Sequence, residues 1–271
     1  MKYKMIASDL DGTLLDDESI LSERTKNAVL MAMDAGALFV MATGRAMSGV
    51  EHINALFDRD LPFITLNGAV IIMGKSRKIL VNKYLDFALA KDVFNTGVGF
   101  DVAVVVWTGR RLWVSREDKA TRMYNGRAGK EMMIISDFDE LEEEGIFKVL
   151  WIDTPENIRR YHHEMKERYN GRLNCYPSQP MFLEFVSPDS DKSTAMEEIG
   201  KIYGIDKSEM IAIGDGYNDV SMLEYAGLGV AMDNAPDDVK AVCGYVTLSN
   251  NNDGVAAVIE KFILEKEISI K

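Results

Sequence analysis

The chain has 271 residues, 47% of them hydrophobic, and a formal net charge of −12 at pH 7. This length and apolar content predict a sizeable core in one large domain or two smaller ones. The acidic balance argues against nucleic acid or an anionic membrane as a partner, and no apolar stretch is long enough to span a bilayer. Two cysteines are too few for a disulfide framework. We therefore expect a cytoplasmic protein without a signal peptide, either a monomer or a weak homo-oligomer.

The first element is a short apolar run at residues 4–8, which predicts a buried strand. Asp9 and Asp11 follow it directly, and Gly12 and Thr13 come next. Ligands bind at the carboxyl ends of strands in a parallel sheet. Two acids this close require a cation or a shared proton, and a carboxylate can also act as a nucleophile. The stretch therefore indicates a metal-assisted phosphoryl site with Asp9 as the nucleophile, although Asp and Gly are also common in solvated turns.

Two more strands follow in the same pattern. A helix that begins at Ser22 leads to the apolar run 37–42, which ends in T-G-R at residues 43–45. Another helix leads to the run 61–66, which ends in Asn67-Gly68. This alternation of strands and helices predicts a parallel sheet with right-handed crossovers. The hydroxyl and backbone groups of T-G-R can hold phosphate oxygens, whereas its arginine fits either a phosphate or a surface acid.

From about residue 85 to residue 188 the strands no longer alternate cleanly with helices. The pattern predicts strands at 102–107, 112–115, 147–152, 173–176 and 182–186, and an amphipathic helix from Pro155 to Tyr169. This mixture predicts an α+β unit that is inserted into the parallel domain. The predicted fold is therefore α/β, with a Rossmann-like parallel-sheet core at 1–84 and 189–271 and an inserted α+β unit at 85–188.

The alternation of helices and strands resumes after the insertion. Asp191-Lys192 opens a helix, and the apolar run 210–213 ends in G-D-G-Y-N-D at residues 214–219. Another strand is predicted at 228–231 and a closing helix from Gly254. The strand ends and the lysine together supply a nucleophile, an acid, metal ligands, oxygen donors and a fixed positive charge. Phosphoryl transfer requires each of these.

The motifs resemble those of the haloacid-dehalogenase (HAD) superfamily. They are D-L-D-G-T at 9–13, T-G-R at 43–45, Lys192 and G-D-G-Y-N-D at 214–219. T-L-N-G-A at 65–69 and the position of the insertion are similar to the Cof-type sugar-phosphate phosphatases of that superfamily. The resemblance covers essentially the whole chain.

The resemblance implies a Mg²⁺-dependent phosphatase that acts on a small phosphorylated substrate. Asp9 would attack phosphorus, and Asp11 would protonate the leaving alcohol and then activate water. Mg²⁺ would be held by Asp9, by the backbone oxygen of Asp11 and by Asp215, with Asp219 as an outer support. The inserted domain would act as a cap that excludes water and selects the leaving group. The phosphoryl oxygens would be bound by Leu10 through its N–H, Thr43, Gly44, Lys192 and Asn218.

Other functions stay open at this point. A phosphomutase shares the aspartyl-phosphate step but returns the phosphoryl group to its sugar. A non-catalytic sensor would bind a phosphorylated ligand without turnover. A dehalogenase is disfavoured, since halide displacement has no use for a metal or for Asp11 and Asp215. Asp189 and Asp191 depart from the family pattern around the lysine, and they could cap the helix, pair with cations or narrow the range of substrates.

Overall fold

The computed structural model describes residues 2–108, 111–128 and 131–265. The chain forms two compact units, one built from residues 1–81 and 191–271 and the other from residues 82–190. We call them the core unit and the inserted unit, and we number strands and helices in chain order. The predicted domain boundaries at residues 85 and 188 stay predictions, and so does the function of the inserted unit as a cap.

The core unit contains an eight-stranded sheet with the order β14-β13-β12-β1-β2-β3-β4-β5. The pairs from β14 to β3 are parallel, and β4 pairs antiparallel with β3. The sheet is therefore Rossmann-like through its centre and mixed towards one edge. Its strands are β1 (Met5–Asp9), β2 (Leu38–Ala42), β3 (Pro62–Thr65), β4 (Val70–Met73), β5 (Ile79–Asn82), β12 (Met210–Gly214), β13 (Leu228–Ala231) and β14 (Tyr245–Val246).

Helices cover both faces of this sheet because its central strands are apolar on both sides. Ile6 packs in a cluster with α1 and α9, whereas its neighbours Met5 and Ala7 point to the opposite cluster with α6 and α7. The helices of the core unit are α1 (Glu23–Asp34), α2 (Glu51–Ala55), α6 (Lys192–Tyr203), α7 (Val220–Tyr225), α8 (Asp237–Ala241) and α9 (Gly254–Phe262).

Side-chain caps define where two of these helices begin. The Ser22 hydroxyl accepts the Thr25 N–H ahead of α1, at 3.0 Å. The Asp191 carboxylate accepts the N–H groups of Ser193 and Thr194 at the start of α6, at 2.7 and 3.0 Å. Such caps satisfy backbone donors that have no partner within the helix. The cap at Asp191 therefore places Lys192 in the first turn of α6.

The inserted unit contains a six-stranded sheet with the order β10-β11-β9-β6-β7-β8. Its pairs are antiparallel except for β7 with β8, which are parallel. Its strands are β6 (Ala103–Thr108), β7 (Leu112–Val114), β8 (Met132–Ile134), β9 (Ile146–Ile152), β10 (Asn174–Gln179) and β11 (Phe182–Val186), and its helices are α3 (Phe87–Gly99), α4 (Lys119–Ala128) and α5 (Pro155–Arg168).

One face of this sheet is apolar and packs on α3 and α5. Trp151 lies at its centre, fully buried, with the rings of Tyr161 and Phe185 4.8–5.7 Å away between centroids. A Cβ on Gly97 of α3 would lie 2.6 Å from the Trp151 indole nitrogen. Only glycine therefore lets α3 approach the sheet this closely.

The opposite face of the same sheet carries a buried ion pair. Lys148 Nζ lies 3.0 Å from Glu184 Oε2, and each side chain is less than a tenth exposed. Burial lowers the pKa of Lys148, but the Glu184 charge more than offsets this and raises that pKa above its ordinary value. Tyr124 of α4 joins the pair, and its hydroxyl also accepts the Trp107 indole N–H at 2.9 Å.

The predicted fold class, a Rossmann-like core with an inserted α+β segment, is confirmed. Helices α3 and α4 were not predicted. The apolar residues of α3 continue almost without interruption into β6, and α4 has too few apolar residues to show a helical period. No helix among the described residues has both the length and the apolar character required to cross a bilayer. The cytoplasmic location stays a prediction.

We expect Lys148→Met to destabilise the inserted unit by about 3 kcal/mol, because it leaves the Glu184 carboxylate buried without its partner. The double change Lys148→Met with Glu184→Leu should recover most of this loss, since it removes both charges. All three tryptophans lie in the inserted unit, so tryptophan fluorescence during urea unfolding reports on it. Equal stabilities for the single and double variants would contradict the prediction.

Candidate active site

The predicted site residues follow neighbouring strands of the core sheet. β12, β1, β2 and β3 are adjacent and parallel, so their carboxyl ends lie at one edge of the sheet. Asp9 is the last residue of β1, Thr43 follows β2, Asn67 lies in the turn after β3, and Asp215 follows β12. The fold thus brings stretches that are far apart in sequence to one edge.

Lys192 joins two of these stretches. Its Nζ lies 2.5 Å from Asp9 Oδ1 and 2.5 Å from Asp219 Oδ1, and the lysine is only 1% exposed. A buried ammonium requires paired anions, and the two carboxylates supply them. Burial lowers the pKa of Lys192, but Asp219 and Asp9 together raise it above its ordinary value. The lysine is therefore a fixed positive charge at the site.

Asp9, Asp215 and Asp219 form an acidic group around this lysine. Each offers a carboxylate oxygen, and these oxygens lie within 4.8 Å of one another. Three carboxylates and one ammonium leave two negative charges uncompensated, which is the charge that a divalent cation supplies. Clustered carboxylate oxygens are also the donors that hard divalent cations prefer. The donor set therefore fits a divalent metal ion.

Electrostatic strain in this group appears as raised pKa values. Burial and then the Asp219 charge raise the pKa of Asp9 well above its ordinary value, despite the lowering effect of Lys192. Burial raises the pKa of Asp215 to about 6, although the hydrogen bond from Thr13 opposes the shift. A bound cation would remove this strain, because it favours the ionised carboxylates.

Asp219 is held by backbone groups on its other side. Its Oδ2 accepts the N–H of Asp215 at 3.0 Å and the N–H of Gly216 at 2.9 Å. One oxygen of Asp219 thus binds Lys192 while the other closes the loop that carries Asp215. This arrangement fits a support for the lysine and the loop better than a direct metal ligand.

Gly12 and Thr13 position Asp215 from the first motif. The Thr13 hydroxyl donates to Asp215 Oδ1 at 2.7 Å. Gly12 has a φ of +76°, and a Cβ there would lie 2.5 Å from Asp215 Oδ2. Residue 12 must therefore be glycine, both for its left-handed backbone and for its contact with this carboxylate.

The partner of Asp11 is Arg45, whereas that of Asp9 is Lys192. The exposed carboxylate of Asp11 pairs with the Arg45 guanidinium, which donates through Nε to Oδ2 at 2.8 Å and through Nη2 to Oδ1. Such a two-point pair fixes the plane of a carboxylate. Of the two roles left open for Arg45, the structure supports pairing with an acid, and that acid is the predicted proton donor.

The predicted phosphate-binding residues lie beside this group. Thr43 is buried and its hydroxyl accepts the Arg45 N–H at 3.0 Å. Asn218 is exposed and donates to Asn67 Oδ1 at 3.3 Å. Gly44 contacts the same asparagine, since a Cβ there would lie 3.0 Å from Asn67 Oδ1. Leu10 directly follows Asp9, and its side chain is fully buried.

The two acids that depart from the family pattern have separate positions. Asp191 caps α6, so its carboxylate is occupied by backbone N–H groups. Asp189 belongs to the inserted unit, where its carbonyl oxygen accepts Lys83 Nζ at 2.6 Å. Helix capping, one of the three roles considered for these acids, is therefore the role of Asp191.

Three positioning contacts were not predicted from the sequence. They are the bonds from Thr13 to Asp215, from Asn218 to Asn67, and from Asn234 to the carbonyl of Gly12 at 2.8 Å. Each joins residues that are more than 150 positions apart, so no local pattern could indicate the pairing. The only signal was the position of each polar residue just after an apolar run.

The chain is similar to known proteins over nearly its whole length. A family model described as haloacid dehalogenase-like hydrolase matches residues 6–259. The 5-amino-6-(5-phospho-D-ribitylamino)uracil phosphatase YwtE of Bacillus subtilis is 28% identical over 96% of this chain and 98% of its own length.

Two solved structures have the same overall fold. A haloacid dehalogenase-like hydrolase from Bacteroides thetaiotaomicron is 28% identical with a TM-score of 0.84, over 96% of this chain and 99% of its own. The sugar phosphatase BT4131, assigned to HAD subclass IIB, is 25% identical with a TM-score of 0.77, over 96% of this chain and 98% of its own.

We expect a divalent cation to stabilise the protein more strongly as the pH rises from about 4 to above 6. The folded-state pKa of Asp215 is about 6 and its ordinary value is 3.8, so the metal-free protein loses stability as the pH rises through this window. Thermal unfolding with excess Mg²⁺ and with EDTA, at pH 5 and pH 7.5, measures this difference.

Asp215→Asn should be more stable than the wild type without metal at pH 7.5, and it should lose most of the stabilisation by Mg²⁺. Glu18→Gln removes a solvent-exposed acid and serves as the control. A stabilisation by Mg²⁺ that is the same at both pH values, or that Asp215→Asn retains, would contradict the assignment.

Proposed function

The chain belongs to the haloacid dehalogenase-like hydrolases, and from that premise we propose that it is a Mg²⁺-dependent phosphomonoester hydrolase of small phosphorylated metabolites. The proposal is carried by one observation. Lys192 is buried between Asp9 and Asp219, with a third carboxylate alongside and with hydroxyl, amide and backbone donors at the same sheet edge. A carboxylate nucleophile, a cation site and a fixed positive charge together match what a phosphoryl group needs.

In the first step, an oxygen of the Asp9 carboxylate attacks phosphorus. The bond between phosphorus and the leaving oxygen breaks, and Asp11 gives its proton to that oxygen, so an alcohol leaves and an aspartyl-phosphate remains. Arg45 donates to both Asp11 oxygens in the structure, so one of these two contacts has to open before that carboxyl can carry the proton.

In the second step, the Asp11 carboxylate takes a proton from water. The water oxygen attacks phosphorus, the bond to the Asp9 oxygen breaks, and inorganic phosphate leaves. Asp9 is again a carboxylate and Asp11 is again protonated, so the cycle closes without another reactant. The same residue serves first as acid and then as base.

The Asp9 and Asp215 carboxylates and the Asp11 carbonyl would hold Mg²⁺. The two uncompensated negative charges of the acidic group support this assignment. When bound, the ion neutralises charge on the phosphoryl oxygens and on the carboxylates. Thr13 and Gly12 contact the Asp215 carboxylate, and Asp219 accepts the backbone N–H of the same residue.

The remaining donors would bind the phosphoryl oxygens. Lys192 offers a charge that cannot move, because two carboxylates hold its ammonium. Thr43 and Gly44 lie in the loop after β2, and Asn218 approaches from the loop after β12. The Leu10 N–H lies next to the nucleophile in sequence. Donors that are already oriented stabilise developing charge without reorganisation.

The substrate class follows from the relatives. One acts on a phosphorylated ribityl compound by its name and another is described as a sugar phosphatase. We therefore propose sugar phosphates and similar phosphorylated polyols as the class to which the substrate belongs. The inserted unit would act as the cap that selects the leaving group.

The other functions fit the site less well. A phosphomutase needs the same aspartyl-phosphate but would release no phosphate into solution. A sensor has no need for a second carboxylate two residues after the nucleophile, such as Asp11. A dehalogenase leaves the acidic group and Asp11 without a task.

Asp9→Asn should lower phosphate release from p-nitrophenyl phosphate by roughly a thousandfold or more, because an amide oxygen is a poor nucleophile. Binding of a phosphorylated ligand should persist, since the other phosphate donors remain. Phosphate in solution and calorimetric binding measure the two effects. Wild-type protein that releases no phosphate from any substrate tested would contradict a phosphatase.

Turnover should require Mg²⁺ and fall when Ca²⁺ replaces it. Ca²⁺ takes more oxygen ligands at longer distances, which displaces the Asp9 carboxylate from its direction of attack. Initial rates with Mg²⁺, with Ca²⁺ and with EDTA test this expectation. Equal rates in Mg²⁺ and EDTA would rule out the metal-assisted mechanism.

A further inference from the structure

The turn after β3 has an unusual backbone. Leu66, Asn67 and Gly68 have φ values of +51°, +54° and +104°, so three consecutive residues adopt positive φ. Glycine does so readily and asparagine tolerates it, whereas leucine does so rarely. Such a turn persists only when its surroundings impose it. The contacts of these three residues show what imposes it.

Two backbone hydrogen bonds tie the turn to the T-G-R loop. The Leu66 N–H donates to the Arg45 carbonyl and the Asn67 N–H donates to the Thr43 carbonyl, both at 3.0 Å. The Asn67 side chain then lies against Gly44, where a Cβ would be 3.0 Å from its oxygen and 3.1 Å from its nitrogen. Residue 67 therefore packs directly on the loop that is proposed to bind phosphate.

The same side chain reaches the second phosphate-binding loop. Asn67 is 5% exposed, and its Oδ1 accepts a hydrogen bond from Asn218 Nδ2 at 3.3 Å. An amide nitrogen carries two N–H groups. A bond that engages one of them sets the direction of the other, which is the donor that a phosphoryl oxygen would use.

Gly68 places the same turn against a third element, the start of α6. A Cβ at residue 68 would lie 2.1 Å from the carbonyl oxygen of Asp191, the residue that caps α6. Lys192 is the next residue. The turn thus touches the T-G-R loop, the G-D-G-Y-N-D loop and the start of α6, which carry Gly44, Asn218 and Lys192.

We propose that Asn67 is a positioning residue for the phosphoryl group, acting through the Asn218 amide and the Gly44 backbone. The inference rests on the proposed phosphatase function, in which those two residues bind phosphoryl oxygens. Asn67 does not itself touch the reacting atoms. Its buried amide sets the spacing between two loops that come from different ends of the chain.

Asn67→Gly separates this role from a purely conformational one. Glycine adopts positive φ without strain, so the turn keeps its shape in this variant. Only the amide is lost. If residue 67 served the turn alone, this change would leave catalysis untouched. If Asn67 is a positioning residue, the loss of its amide should lower kcat/KM for p-nitrophenyl phosphate about tenfold.

The inhibition constant for inorganic phosphate should rise by a similar factor, because the same donors bind the product. Ser19→Gly is the matched control, since Ser19 is exposed with a φ of +62° and lies outside the proposed site. It should change neither constant. Thermal unfolding of both variants confirms that the comparison is between folded proteins.

A double-mutant cycle tests the route of the effect. Asn218→Ala should itself weaken phosphate binding, and adding Asn67→Gly to it should cost less than about threefold more, since the shared contact is already gone. Fully additive losses would contradict the proposal. So would an Asn67→Gly variant whose kcat/KM and phosphate inhibition match the wild type.

These outcomes are distinct from a failure of the proposed function. Wild-type protein with no phosphate release contradicts the phosphatase itself. If the wild type turns over normally and Asn67→Gly has the same kcat/KM and the same inhibition by phosphate, only the role of Asn67 is contradicted.

Discussion

The contact between Lys192 and the two carboxylates of Asp9 and Asp219 is the interaction on which the rest of the site depends. A lysine that is 1% exposed can remain charged only if anions compensate it. Once the three groups are paired, the first strand, α6 and the loop after β12 have fixed relative positions. The remaining charge on the acidic group then suits a divalent cation. One buried ion triad thus serves both the geometry and the charge balance of the site.

Close backbone packing lets the other loops reach this triad. Gly12 leaves room for the Asp215 carboxylate, and Gly68 leaves room for the Asp191 carbonyl. Both have positive φ, so a side chain would be excluded by conformation as well as by space. The motifs therefore contain glycine because chain segments meet there, and the acids and amides beside those glycines are the groups proposed to bind a ligand.

Several local features could be predicted from sequence because their causes are local. Ser22 and Asp191 cap helices, as their residue types and the apolar stripes after them indicate. The order of strands and helices in the core followed from apolar runs that end in polar turns. Helices α3 and α4 were missed, since the inserted unit mixes both periodicities within short distances. The roles of the predicted site residues remain proposals, although the fold brings those residues to one sheet edge.

The sequence by itself determined the fold class, the family resemblance and the residue types of the site, because apolar periodicity and short motifs are local properties of a chain. The tertiary structure alone decided which groups are partners: Arg45 with Asp11, Thr13 with Asp215, and Asn67 with Asn218. It also decided that Asp219 binds Lys192. The physical reason is that such contacts join segments that lie 27 to 202 residues apart in the chain. Their formation depends on strand order and close packing, which no short stretch of sequence encodes.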